Sequence, residues 1–272
     1  MQARHSRRQG GFTLVEMAVV LVIIGVIIGA VMIGRDVQRN AEYNRIKQKF
    51  IDQWVVAYNT YYQRYGAPVG DNQSAPQLMV KGAHFNGFSG GDMTSVAEPP
   101  YICSGTDPLP SAPGVRTRES ASGFDLRDLM RRAGITLPPG RGEGKEDRYA
   151  YLDTNSNPQE IRVCFGWNRP GTLWGAGNVM IITDLTPDLA RALDQMIDGK
   201  ADAANGAFRQ VGITSRPNTG PGGATDPNAI GAEWGSNNTG SMASAVSQGD
   251  TFGTATDDDQ VMTVVASYKM NQ

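Results

Sequence analysis

Glu16 is the residue that most needs explaining, because it sets a carboxylate inside an otherwise oily stretch. From Phe12 to Ile33 only Thr13 and Glu16 are polar. As a helix these roughly 22 residues reach about 33 Å, enough to cross a bilayer core of about 30 Å. An acid within such a span costs about 3 kcal/mol or more on insertion scales and persists where it has a task and a cationic partner. Gly10, Gly11 and Phe12 lie just upstream. Cleavage after Gly11 would keep the apolar segment on the mature chain and make the amine of Phe12 a new terminus beside the acid. The small residues that an ordinary signal peptide needs after its apolar run are poorly represented in Gly29-Ala30-Val31-Met32-Ile33. The plainer alternative is a signal anchor with an acid near its edge.

Other residue sets have the letters of chemistry without its context. Gly87-Phe88-Ser89-Gly90-Gly91 spells the nucleophile elbow G-x-S-x-G, which works only between a strand and a helix, and neither reads there. A serine hydrolase would rest on His84, since the other histidine is His5; His84 reads better as an exposed loop residue. Asp153-Thr154-Asn155-Ser156-Asn157 sets oxygen side chains at alternate positions, as a calcium loop begins. Pro158 stands where that loop needs glycine and the distal glutamate is missing, so a hairpin turn accounts for it better. The mixed charges of the glycine-rich loop 138–147 suit a solvated turn, and Asp257-Asp258-Asp259 a solvated acidic cluster. No catalytic set, metal site or cofactor is expected, and the chain does not read as an enzyme. A net charge of −2 and a pI near 5.7 argue against a nucleic-acid surface.

These residues need elements to hold them. Arg4, Arg7 and Arg8 precede the span and favour a cytoplasmic amino end, so the remainder faces outward. The two cysteines of such an exported chain suggest one disulfide, Cys103 to Cys164. It would close a loop of about 60 residues and stabilise by roughly 3 to 4 kcal/mol; the alternative is two buried free thiols. Val37, Ala41, Ile46, Phe50, Trp54, Tyr58, Tyr61 and Tyr65 recur at three-to-four spacing with one wider step, a stripe on one helical face. Gly66 and Pro68 end it. With no Gly or Pro from Arg35 to Tyr65, span and stripe form one helix of about 50 residues.

Beyond it, residues 72–113 read as a turn-rich connection and Phe124 to Ala133 as a short helix. Strands are expected at Arg148 to Asp153, Glu160 to Trp167 and Asn178 to Asp184, close enough for antiparallel pairing. Ile161 and Val163 would face the long helix, Arg162 and Cys164 the other side. Thr186-Pro187-Asp188 opens a helix to about Ile197. Residues 214–256 hold few large apolar groups besides Trp234, Met242 and Phe252 and read as a surface or flexible segment. Gln260 to Met270 supplies a last strand.

Gly11-Phe12-Thr13-Leu14-Val15-Glu16 with its apolar helix resembles the processing site of type IV prepilins and of the pseudopilins of type II secretion systems. The resemblance implies cleavage by a prepilin peptidase between Gly11 and Phe12, N-methylation of Phe12, and pairing of Glu16 with the amine of a neighbouring subunit during assembly. The stretch from Tyr58 to Asp71 and, more loosely, Asp194 to Gly199 with Gly206 to Arg209 are similar to one branch of these proteins. An α+β, pilin-like fold is therefore expected: a leader (1–11), a transmembrane or filament-core helix (12–33), its amphipathic continuation (34–66), and a globular part (67–272) with an antiparallel sheet on the helix. The implied partners are other pilins in a homo- or hetero-polymer, prepilin peptidase, an assembly platform and the inner membrane. The implied location is the inner membrane, then an extracellular pilus or periplasmic pseudopilus. The roles left open are adhesion, motility or DNA uptake for a pilin, secretion for a pseudopilin, and attachment through residues 214–256 for a minor pilin acting as an adhesin.

Overall fold

Without an intervening proline, helix runs from Leu14 to Tyr65 in the computed structural model, which describes residues 14–85, 92–154, 156–213, 234–235 and 263–270. The chain divides into two compact units, Met1–Glu42 and Tyr43–Gln272. In the first, the described residues belong to helix α1 (Leu14–Ile46), and every residue from Leu14 to Ala41 is exposed.

The core of the second unit begins at Tyr43 and takes in Ile46, Phe50, Trp54, Tyr58 and Tyr61 on one helical face. The expected stripe holds from Ile46 on, but Val37 and Ala41 are exposed. Spacing identifies a face of a helix; it does not say how far along that face the core extends. Tyr65, at the other end, is half-buried. A single π-turn, Lys47–Ile51, interrupts the α-helical ladder before α2 (Asp52–Tyr65). The widened turn buries the adjacent Phe50 and Ile51 together. It also sets residues five apart in register, so that Lys47 Nζ meets Asp52 at 2.9 Å. Gly66 then closes α2 in the left-handed conformation, φ 67°, its N–H donating to the Tyr62 carbonyl.

The sheet contains β1 (Ile102–Cys103), β2 (Arg148–Leu152), β3 (Pro158–Asn168), β4 (Gly177–Leu185), β5 (Phe208–Gln210) and β6 (Val264–Lys269). Its order is β1-β3-β4-β6-β5, with β2 also on β3, and all pairings are antiparallel. Alternation along β3 sends Ile161, Val163 and Phe165 into the layer that packs α2, and Cys164 into a second cluster with Val179, Ile181 and Val265. Phe165 stacks on Tyr58 at 4.9 Å and tilts against Trp54 at 6.2 Å.

Helix α3 (Leu126–Arg132) is capped by Asp125, which accepts from Asp128 N–H at 3.2 Å. Helix α4 (Pro187–Asp198) starts on the Thr186 cap and stops at Gly199, φ 79°. The β2–β3 hairpin closes where Asp153 was expected to do so: its carboxylate accepts from Asn157 N–H at 2.8 Å, while Asn155 lies outside the described residues. The described residues of 72–113 make more of the fold than a turn-rich connection would. They contribute β1, the buried Val80, Phe85 and Tyr101, and a mutual clasp in which Val80 N–H donates to Asn178 Oδ1 at 2.8 Å and Asn178 Nδ2 to Leu78 O at 3.0 Å. A two-residue strand has no period to read; β1 exists because β3 offers it an edge.

The segment 214–256 also departs from expectation at the two of its residues that are described. Trp234 is fully buried. It lies 5.1 Å from the Phe208 ring, and Gly235 N–H donates to Gln210 Oε1 at 3.0 Å. The rest of that segment, with Asp257-Asp258-Asp259, lies outside the described residues.

Candidate functional site

A helix that is apolar all round needs lipid or other helices to cover it. In α1 the side chains from Leu14 to Ile33 are exposed around the whole circumference: Leu14 is 88% exposed, Leu21 69% and Ile33 68%. The helix is long and apolar enough to cross a membrane. Glu16 lies in the first turn of this helix, where an acid suits the positive end of the helix dipole. Gly11 and Phe12 precede the described residues. A family model, the prokaryotic N-terminal methylation motif, matches residues 6–32, which contain Gly11, Phe12 and Glu16. The chain carries a prepilin-type processing motif. This is the cleavage and methylation signature of type IV pilins and pseudopilins. No curated protein and no solved structure matches the chain. The prepilin-type motif and its apolar helix fit a membrane-anchored precursor.

Cys103 and Cys164, the other residues singled out by the sequence, are bridged. They stand directly opposite each other on β1 and β3 with Cα atoms 4.5 Å apart, the spacing of a non-hydrogen-bonded antiparallel pair. The staple fixes β1 to the sheet and so anchors the loop that follows it. His84 is exposed in a 3-10 turn, its ring edge-on to Phe85; Gly87-Phe88-Ser89-Gly90-Gly91 lies outside the described residues. In the glycine-rich loop 138–147 Glu143 and Lys145 are exposed, as expected of a solvated turn, while Arg141 and Glu146 are paired. Arg141 pairs with Glu160, and Glu146 meets Arg127 at 3.3 Å and Arg131 at 3.6 Å.

Two buried polar sites escaped the sequence reading. Lys81 is 5% exposed, paired with Glu119 and 5.4 Å from the Phe124 ring centre; burial lowers its pKa. Asp194, fully buried on α4, accepts from Trp234 Nε1–H at 2.7 Å and from Asp202 N–H at 2.6 Å. Burial pushes its carboxyl up to about 7, against the lowering effect of those two donors, and Asp198 one turn on adds to the rise. Both depend on partners distant in sequence, and only the Asp194–Asp198 spacing hints at either.

Proposed function

We propose that the chain is a type IV pilin-like structural subunit, cut by prepilin peptidase between Gly11 and Phe12, methylated on Phe12, and polymerised through its apolar helix. The reading rests above all on one observation: within the processing motif, just beyond Gly11 and Phe12, lies an apolar helix exposed on every side that carries one acid in its first turn. Packing such helices against one another removes apolar surface from water or lipid without any further partner. The new amine of Phe12 on a neighbouring subunit gives the Glu16 carboxylate a cation within the low-dielectric layer. The precursor is anchored in the inner membrane and is taken from it by a pilus assembly platform into a homo- or hetero-polymer. A pseudopilin of a type II secretion system would share each of these features, and electron microscopy for long surface fibres separates the two. Mass spectrometry of the mature protein tests the common core: the expected terminus is N-methylated Phe12, and Gly11→Ala should leave the precursor uncut. A native terminus at Met1, or anywhere beyond Ile33, sinks the assignment.

A further inference from the structure

Arg35 and Arg39 stand just where the apolar run of α1 ends. Gly34 alone separates Ile33 from Arg35, and both arginines are exposed on the helix. Four residues apart, they share one helical face, and neither makes a hydrogen bond or ion pair with a described residue. The one acid between Gly34 and Asn40 is Asp36, which sits about 100° round the helix from Arg35. At 1.5 Å per residue, Arg35 stands about 3 Å and Arg39 about 9 Å beyond Ile33. A bilayer's headgroup layer is about 5 to 8 Å deep on each side of the hydrocarbon. Side chains on a helix lean towards its amino end, so both guanidinium groups reach back towards the apolar run. With residues 14–33 in the hydrocarbon, the two forks fall at the level of the lipid phosphates.

Two like charges one turn apart destabilise a helix when nothing lies between them. Cations on this side of the span also work against the orientation that Arg4, Arg7 and Arg8 favour. A phosphodiester between the two side chains answers the first point and gives the second a reason, because a guanidinium fork holds phosphate oxygens in pairs. We infer that Arg35 and Arg39 clamp the phosphate of an anionic phospholipid, in the leaflet remote from the amino end, and so fix the depth of the span. The inference rests on the membrane-anchored precursor and not on polymerisation.

The test is native mass spectrometry of the full chain released from nanodiscs of phosphatidylglycerol and phosphatidylcholine in equal amounts. Arg4, Arg7 and Arg8 are changed to Gln in every sample, the parent included, so that lipids held by the leader do not count. The parent should retain phosphatidylglycerol in preference, and Arg35→Gln and Arg39→Gln should each lower that preference by about fivefold. Changing both arginines to Lys should keep part of it, since the charge remains and the fork is lost. Raising the salt should weaken the parent's preference by screening, a comparison that needs no variant and so decides even if a substitution disturbs folding. The inference fails if the parent shows no preference, if salt leaves the preference unchanged, or if the double Gln variant retains lipid like the parent. A double variant that keeps its lipid but is lost from filaments would assign the pair to a neighbouring subunit and overturn the inference. Flotation with vesicles separates this from the wider reading: a parent that does not float removes the membrane anchor itself, whereas one that floats without lipid preference removes the clamp alone.

Discussion

Asp194 couples folding to protonation. Its carboxyl is raised from 3.8 to about 7 in the folded chain, so between those values the folded state holds a proton that the unfolded state has released. Stability from this residue is therefore greatest below about pH 4, falls as pH rises to about 7, and is flat beyond. The other acids around it are Asp198, which accepts from Ala207 and Phe208 N–H at 2.9 Å, and Asp202. Asp194→Asn keeps the shape and an acceptor for Trp234 but cannot ionise. The melting temperature of the parent should drop relative to that variant as pH is raised from 4 to 7, and parallel curves would refute the assignment. At Glu16 the prediction concerns assembly: Glu16→Ala should leave the soluble part folded by circular dichroism yet absent from purified filaments. Glu16 was legible because an acid in an oily span stands out against its neighbours. Asp194 was not, because its principal donor arrives from Trp234, forty positions along the chain, across a stretch whose composition gives no sign of burial.

Among the elements, β3 shows how one small residue can set a neighbour's place. A Cβ on Gly166 would stand 2.5 Å from Tyr101 Cδ1 and 2.8 Å from its Cε1, because that edge of the Tyr101 ring comes close to the strand there, with Arg116 against the ring. Gly166→Ala should therefore destabilise by about 1 to 3 kcal/mol through overpacking, read as a shifted denaturant midpoint with unchanged slope. A change under a few tenths would show that the ring can move aside. Regular elements were legible in proportion to their local signals. Thr186-Pro187-Asp188 and Gly199 mark α4 without tertiary help, and alternation in β3 separates Ile161 and Val163 from Cys164. The π-turn at Lys47–Ile51 was not legible, since its cause is the demand to bury Phe50 and Ile51 side by side, and neither β1 nor the order of β5 and β6 is written in any short window.

At the scale of the molecule, the two units differ in kind. The described residues of the first expose their apolar side chains, whereas from Tyr43 onward the chain has its own two-sided core. A fragment beginning at Tyr43 should stay in solution without detergent and melt cooperatively, while the full chain should need detergent or lipid. A fragment that aggregates or shows no transition would mean that residues before Tyr43 complete the fold. Trp234 gives this second unit a property of its own. By seating one tryptophan among Phe208 and α4, the chain divides the long connection between β5 and β6 into two tethers, 213–234 and 235–263, each closed on its own. Unseating Trp234 would merge the two into one closure of about 50 residues, so the approach of β6 to β5 is set by the burial of this ring as well as by the pairing of the strands themselves.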